Sequence, residues 1–240
     1  MPKFFTEQVD ERQGVITGED AAHIAKVLRM RPGKEITLCD KNANDYIGII
    51  ESVSPQEVLV EIKEKRPCEA EPNVRVALFQ AMPKGDKLDL IVQKAVELGV
   101  TEIYPVMTHF CVAKPDDKSF AKKKERCQRI AYEAAKQSGR GRIPTFGDLL
   151  TLEQALEKMK EYDLPILFYE HSTRPLSEVL SGEWSSAAIL IGSEGGFDPE
   201  EVKKAFDSGV QDASLGKRIL RCETAPLAAL SVLMYQSGNF

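Results

Sequence analysis

The sequence predicts an α/β protein in which a parallel sheet covered by helices follows a smaller, strand-rich domain. Beyond residue 74, short apolar runs alternate with segments of helical periodicity, which is typical of parallel strands joined by helices. Residues 31–63 instead contain short strand-like runs between turn-forming residues. The segment 66–73 has two prolines and no periodicity, so we predict domains at residues 1–70 and 73–240.

The N-terminal domain is predicted to be a small β-barrel. Apolar and β-branched residues predict strands at 36–39, 46–53 and 58–63, with proline, glycine and asparagine turns between them. One helix, at 20–30, is expected before these strands. Closely spaced strands of this kind resemble compact RNA-binding barrels.

Helix and strand signals alternate through the C-terminal domain. Asp86 is expected to cap a helix, and Gly139 to end the next one. Asp198-Pro-Glu-Glu201 combines a capping residue, a proline and an acid in the spacing of a helix start. We predict strands at 74–80, 102–107, 166–169 and 187–191, and helices at 86–99, 119–138, 152–159, from 198, and from Glu223 or Thr224 to Met234.

Composition and cysteine content exclude several classes of protein. With 42% hydrophobic and 29% charged residues, the chain is expected to fold rather than stay disordered. No apolar run approaches the ~20 residues of a membrane span, and the N-terminus lacks a signal-peptide pattern. We therefore expect a cytoplasmic protein without a membrane partner. The five cysteines are scattered and include no Cys-x-x-Cys pair, which argues against disulfides and against a metal site.

Charge is unevenly distributed along the chain. Residues 114–142 contain ten Lys or Arg and four Asp or Glu, a net charge of +6, although the whole chain has −5. Further basic residues lie between His23 and Lys34. A basic segment on an acidic body favours a polyanionic partner such as RNA. A solvated helix face would give the same charge run.

Two glycine-bearing segments are the most informative part of the chain. Residues 190–197, Leu-Ile-Gly-Ser-Glu-Gly-Gly-Phe, and 215–225, Leu-Gly-Lys-Arg-Ile-Leu-Arg-Cys-Glu-Thr-Ala, each join a short apolar run to a helical stretch. Each should place glycines and backbone amides at the carboxyl edge of the sheet, where open α/β sheets bind ligands. The steric demands of a tight turn would also explain the glycines of either loop taken alone.

Neither loop has the spacing of a dinucleotide or triphosphate site. Gly-x-Gly-x-x-Gly is absent, and Gly216-Lys217 is followed by Arg218 where a phosphate-binding loop has Ser or Thr. No Gly-x-Ser-x-Gly accompanies the three histidines, so a serine triad is not indicated. Amides and glycines beside apolar residues suit a nucleoside with an uncharged base and little phosphate.

The two loops resemble the second and third motifs of the SPOUT methyltransferases, in the subfamily that methylates N3 of a uridine in small-subunit (16S) ribosomal RNA. Similar stretches continue upstream at 83–87, 93–100 and 133–140, and in His23 with Val27-Leu-Arg29. The resemblance implies a deep trefoil knot that binds S-adenosylmethionine, an exception to the usual absence of knots. It also implies a PUA-like, RNA-binding N-terminal barrel and a homodimer.

The resemblance also implies which residues hold the methyl donor and act on the base. Uracil N3 carries a proton, so its methylation calls for a nearby cation and a proton acceptor. We hypothesise that Arg221 supplies the cation, with Arg218 as second choice. Either Glu194 or Glu223 accepts the proton, unless each only satisfies loop or helix-terminal amides. The expected donor-binding residues are Tyr169, Ile191, Gly192, Gly195, Gly196, Leu215, Gly216, Ile219, Leu220 and Thr224.

Capture of RNA is expected to fall to basic residues of both domains, with the target base leaving its stack to reach the donor. Two other functions stay open: a non-catalytic RNA-binding ribosome assembly factor with this fold, and a nucleotide-dependent oxidoreductase, which the missing fingerprint disfavours. The expected RNA contacts are Lys3, His23, Arg29, Arg31, Lys84, Lys122, Lys123, Lys124, Arg140 and Arg142.

Overall fold

Five strands form the first of two units in the computed structural model, which describes residues 2–240. Thr6 Oγ1 donates to the Val15 carbonyl (2.6 Å) and Val15 N donates to the Gln8 carbonyl (2.8 Å). These bonds connect the chain after the first edge strand to the opposite edge strand, as barrel closure requires. The strands are β1 (Lys3–Phe5), β2 (Gln13–Thr17), β3 (Glu35–Cys39), β4 (Asn44–Val53) and β5 (Glu57–Pro67), in the order β1-β3-β4-β5-β2.

One helical segment contributes to the core of this unit. Helix α1 (Gly18–Ala22) continues as a single π-helical turn at His23–Val27. Ala21 and Ile24 on its inner face join an apolar cluster with strand residues such as Phe4. The helix predicted at 20–30 is therefore present, but it ends earlier than the pattern indicated. Strands β1 and β2 were not predicted, and β5 extends beyond the predicted 58–63.

The first unit is not a continuous stretch of chain. It comprises the residues up to Glu71 together with Ala135–Ile143, while Pro72–Ala134 and Pro144–Phe240 form the second unit. Within the first unit, Ala43 N donates to the Gly141 carbonyl (3.0 Å) and Cys68 N donates to the Ala43 carbonyl (2.8 Å). The later segment is thus hydrogen-bonded to the turn between β3 and β4, which is itself bonded to Cys68 just after β5.

The second unit contains the parallel sheet that the alternating pattern predicted. Every pairing in this seven-stranded sheet is parallel, and its central strands are buried along most of their length, as their continuous apolar runs require. The strands are β6 (Arg75–Ala81), β7 (Glu102–Met107), β8 (Thr145–Phe146), β9 (Leu150–Thr151), β10 (Leu164–Phe168), β11 (Ser186–Ile191) and β12 (Gln211–Ala213). Their order is β12-β10-β11-β6-β7-β8, with β9 also on β7.

The helices between these strands begin and end near their predicted signals. Asp198 and Glu201 form the expected capping box, and Gly139 follows the end of its helix with φ of 75°. Asp86 occupies the predicted cap position, but its side chain makes no cap bond because its backbone is not extended. The helices are α2 (Lys87–Glu97), α3 (Asp117–Gln137), α4 (Leu152–Met159), α5 (Leu176–Val179), α6 (Pro199–Asp207) and α7 (Ala225–Gln236).

Two classes of feature are not found in the part of the chain that the structure describes. No helix within residues 2–240 combines the length and the hydropathy that crossing a membrane requires. The same residues include no group of three or more His, Cys, Asp or Glu side chains placed to hold a metal ion. All five cysteines are unbridged and buried, where a thiol packs as a small apolar group.

Candidate functional site

The two glycine loops leave strands β11 and β12, which lie on either side of β10, at one edge of the second sheet. Strand β10 lies between β11 and β12, and its Phe168 is in register with Ile191 on one side and Ala213 on the other. Because these strands are parallel, the segments 192–198 and 214–224 both begin at the carboxyl edge. The predicted placement of the loops at this edge is confirmed.

The loop after β11 is a tight turn that depends on glycine. Gly196 N donates to the Ser193 carbonyl (3.0 Å), and Gly196 has φ of 69°, in the left-handed region that favours glycine. A Cβ atom on Gly196 would lie 2.4 Å from Glu170 Oε1, and one on Gly195 would lie 2.6 Å from Phe110 Cβ. The left-handed backbone therefore favours glycine at 196, and the close contact with Phe110 favours it at 195, whether or not their amides also bind a ligand.

Lys87, at the start of α2, joins this loop to the segment that precedes α7. Its Nζ lies 2.8 Å from Glu194 Oε1 and 3.4 Å from Glu223 Oε2. Glu194 also accepts a hydrogen bond from Lys84 N at 3.2 Å. One ammonium group thus holds carboxylates from both glycine loops, so the two loops lie close together. Sequence reasoning assigned no role to Lys87, although it stands in the Pro83–Lys87 stretch that the resemblance included.

The protonation of these carboxylates follows from this contact. Partial burial opposes ionisation of Glu194, but the Lys87 ammonium and the backbone N–H groups outweigh it and lower its pKa to about 2. Burial likewise opposes ionisation of Glu223, and its amide, Cys222 and Lys87 still lower its pKa. Hydrogen bonding to Glu194 raises the pKa of Lys87. A carboxylate as acidic as Glu194 is a weak proton acceptor at neutral pH, which favours its structural role over the predicted catalytic one.

The loop after β12 exposes two arginines and an apolar side chain. Arg218 and Arg221 are exposed, and no hydrogen bond or ion pair to either guanidinium is found among residues 2–240. Ile219 is 87% exposed, while Leu215 and Leu220 are half-buried. An exposed apolar side chain next to half-buried leucines and to cations that are unpaired in the described part of the chain is a lining that suits a ligand with apolar and polar parts.

The remaining predicted donor contacts surround the same strand ends. Tyr169 follows β10, is half-buried, and donates its N–H to the Ala213 carbonyl at 3.4 Å. Gly216 has φ of 99° and open space around its α-carbon, so its backbone is accessible. Thr224 is exposed and occupies the cap position of α7 without a side-chain cap bond. Ile191 is buried at the end of β11.

Gln80 is a further polar residue at this edge that sequence reasoning missed. Its side chain is fully buried at the end of β6, where Nε2 donates to the carbonyls of Ala81 (3.1 Å) and Gly192 (3.3 Å). Gln80 Oε1 and Ser193 Oγ are buried, and neither has a hydrogen-bond partner among the described residues. A buried polar atom without a partner is costly, so this pair fits a site that receives a polar ligand. The sequence signal that could have identified this residue is a glutamine within an otherwise apolar strand.

Most of the predicted RNA contacts are exposed. His23, Arg29 and Arg31 are exposed in the first unit, and Arg142 is exposed at the end of its second segment. In the second unit, Lys84 and Lys122 are exposed and Lys123 is half-buried. Lys124 lies 2.6 Å from Asp148, so its charge is partly neutralised.

Two predicted RNA contacts are contradicted by the structure. The Lys3 side chain is 8% exposed, with Nζ 2.6 Å from Asp45 Oδ1. The Arg140 side chain is 3% exposed and pairs with Glu71, with Nη2 to Oε2 at 3.0 Å. Both cations are buried and already neutralised, so they stabilise the first unit and do not present charge to phosphate.

Comparison with known proteins agrees with the domain content. A family model described as an RNA methyltransferase domain matches residues 70–234, and one described as an RNA methyltransferase PUA domain matches residues 16–63. The ribosomal RNA small subunit methyltransferase E of Bacillus subtilis is 36% identical over 99% of this chain and 97% of its own. That of Mesomycoplasma hyopneumoniae is 31% identical over 96% and 98%.

A solved structure extends the comparison to three dimensions. A ribosomal RNA small subunit methyltransferase E from Neisseria gonorrhoeae, bound to S-adenosyl methionine, superimposes with a TM-score of 0.87 at 30% identity. The alignment covers 98% of this chain and 97% of that one. Both domain models match this chain, and the relatives named above align with it over nearly their whole length. This chain therefore belongs to the ribosomal RNA small subunit methyltransferase E family.

Proposed function

We propose that this protein transfers the methyl group of S-adenosylmethionine to N3 of a specific uridine in 16S ribosomal RNA. Family membership supports methyl transfer to ribosomal RNA, and the Neisseria gonorrhoeae relative is described as bound to the same donor. The observation that carries the proposal is the union of the two glycine loops, through Lys87, at the ligand-binding edge of a parallel sheet.

The donor site is assigned to the loops and strand ends around Phe168. The half-buried Leu215 and Leu220, with the exposed Ile219, would pack against the adenine ring, while loop amides and buried polar atoms of Gln80 and Ser193 would meet the polar groups. All ten donor contacts predicted from the sequence belong to this assignment. The bound donor supplies an electrophilic methyl carbon on a sulfonium centre.

Arg221 is assigned the cation that acts on the target base. As the proton leaves N3, negative charge spreads onto the flanking carbonyl oxygens, and a fixed guanidinium lowers the energy of that charge. Arg221 suits this role because its guanidinium is exposed and forms no ion pair or hydrogen bond with any residue in the range 2–240. Arg218 is the second candidate. Since Glu194 and Glu223 are both held by Lys87, we assign loss of the N3 proton to ionisation of the uracil before methyl transfer, with the proton released to bulk solvent and the resulting anion stabilised by the Arg221 charge.

The proposal also covers the organisation of the chain. Residues 1–70, with Ala135–Ile143 as part of the same unit, would act as the PUA-like RNA-binding barrel, and residues 73–240 apart from that segment as the knotted donor-binding domain. The knot is part of the proposal because the resemblance to the SPOUT methyltransferases implies it. Exposed apolar residues on α7, Val232 and Tyr235, support a homodimer. Action on ribosomal RNA suits a cytoplasmic protein.

A direct test uses ribosomal RNA from a strain that lacks the gene for this protein. Incubation with the protein and S-adenosylmethionine, followed by nucleoside mass spectrometry, should reveal N3-methyluridine. RNA binding without this product would instead identify a non-catalytic assembly factor. Calorimetric titration should show binding of S-adenosylmethionine and none of NAD, and the reverse result would favour an oxidoreductase.

The role of Arg221 is tested separately. Arg221→Ala should lower kcat by about a hundredfold or more, as expected for loss of a transition-state charge contact, and should leave the Kd for S-adenosylmethionine within about threefold. Arg218→Ala is the matched variant on the same loop and should have the smaller effect on kcat. An equal loss of kcat and donor affinity in Arg221→Ala would remove its catalytic assignment.

A further inference from the structure

We propose that Lys87 is a positioning residue, which fastens the loop after β11 to the segment before α7 and so assembles the donor site before the donor binds. The inference rests on the proposed function and adds to it a residue outside both glycine loops. Lys87 Nζ lies within hydrogen-bonding distance of Glu194 (2.8 Å) and within ion-pair distance of Glu223 (3.4 Å). It also approaches Cys222 Sγ at 3.9 Å.

The position of Lys87 distinguishes it from an ordinary surface ion pair. Glu194 lies 107 positions away in the sequence, and Cys222 lies 135 positions away, so the contact joins three distant segments of chain. The three ionic side chains are 21–31% exposed, which reduces solvent screening relative to exposed pairs. Two carboxylates near one point repel each other, and the ammonium that lies within ion-pair distance of both offsets that repulsion.

The segments that Lys87 joins carry the groups assigned to donor and substrate. Glu194 stands between Gly192 and Gly196 of the first loop, and Glu223 is two residues from Arg221. Without the ammonium, repulsion between the two carboxylates would favour their separation, and the two loops that carry them would move apart. A protein whose binding-competent state is less populated binds its ligand more weakly by the same factor. Once the donor is bound, it holds the loops itself, so turnover at saturation should fall less than affinity does.

The experiment compares Lys87→Met, which keeps the length and removes the charge, with Lys87→Arg, which keeps the charge. Lys203→Met is the matched control, because Lys203 pairs with Asp207 at 2.8 Å on the exposed face of α6. Calorimetry gives the Kd for S-adenosylmethionine, methyl transfer gives KM and kcat, and thermal unfolding monitors the fold. We expect Lys87→Met to raise Kd and KM about tenfold, within the coupling range of one ion-pair network. Its kcat should stay within about threefold, Lys87→Arg should recover most of the affinity, and Lys203→Met should match the wild type.

A second arm removes the repulsion instead of the cation. Adding Glu194→Gln and Glu223→Gln to Lys87→Met should restore part of the lost donor affinity, which a general loss of stability would not do. The inference is overturned if Lys87→Met binds the donor as the wild type does. It is also overturned if the triple variant binds no better than Lys87→Met, or if Lys87→Met lowers kcat alone. If the wild type binds the donor but makes no N3-methyluridine, the proposed function fails, while the affinity comparison still decides the role of Lys87.

Discussion

Replacing either member of the Glu71–Arg140 pair should destabilise the first unit, because the two side chains form a buried, bidentate ion pair. Arg140 Nε lies 3.1 Å from Glu71 Oε1 and Nη2 lies 3.0 Å from Oε2. The Arg140 side chain is 3% exposed and the Glu71 side chain is 11% exposed. Glu71 Oε1 also accepts the backbone N–H groups of Gly141 (2.8 Å) and Arg142 (3.0 Å).

The geometry sets the expected magnitudes. Breaking a buried pair by removing one partner costs about 3–5 kcal/mol, because the other charge stays buried without compensation. Arg140→Ala leaves the Glu71 carboxylate with two amide donors, so we expect a loss near the lower value. Glu71→Ala leaves the guanidinium buried and also removes the acceptor of both amides, so we expect a loss near the upper value. With a urea m-value of about 2 kcal/mol/M, a loss of 3 kcal/mol lowers the midpoint by about 1.5 M.

The assay is urea unfolding followed by far-UV circular dichroism and by tryptophan fluorescence. Trp184 is the single tryptophan of the chain and lies in the second unit, so its signal serves as an internal control. Arg142→Ala, which changes an exposed neighbour, should alter the free energy of unfolding by no more than about 0.5 kcal/mol. It should also reduce the slope of RNA affinity against salt concentration by the amount expected for about one phosphate contact. If Arg140→Ala instead weakens RNA binding and leaves the urea midpoint unchanged, the reasoning from burial is refuted.

Three further changes test other parts of the structure. Gly196→Ala should destabilise by about 1–2 kcal/mol from its left-handed backbone, plus the clash with Glu170. Gly209→Ala, left-handed but with open space, supplies the backbone cost alone, and equal losses in urea unfolding would exclude the clash. Asp198→Ala should cost about 1 kcal/mol through the lost helix cap, and unchanged thermal stability would contradict that capping role. The lowered pKa of Glu194 means that its stabilisation is complete above the ordinary carboxyl pKa and is lost as the pH falls toward about 2. The melting temperatures of the wild type and Glu194→Gln should therefore differ at pH 7 and converge progressively between about pH 5 and pH 2, and a constant difference would refute this.

The sequence was sufficient where the signal is local. Continuous apolar runs predicted strands such as β6 and β11, since a parallel strand buried on both faces needs no alternation. The capping box at Asp198 lies within four consecutive residues and was recognised for that reason. The glycine loops were placed correctly at the carboxyl edge of the sheet. This placement does not depend on strand order, because all parallel strands end at the same edge.

Features that depend on a distant partner were not recoverable. Lys3 and Arg140 look like free basic residues until Asp45 and Glu71 are known to face them, and Arg140 lies 69 positions from its partner. The role of Lys87 depends on carboxylates more than a hundred positions away. Short edge strands such as β1 have too few residues to show a period, and only their pairing defines them.

The interrupted path of the chain through the first unit limits how that unit can be exchanged. A fragment that ends at residue 71 lacks Ala135–Ile143, and with it the guanidinium that neutralises Glu71 and the carbonyl that receives the Ala43 amide. Recombination within the proline-containing segment 66–73 would therefore transfer a first unit that lacks its second stretch of chain. A chimaera that grafts this unit onto another enzyme must carry both stretches, and we expect the two to have been inherited together.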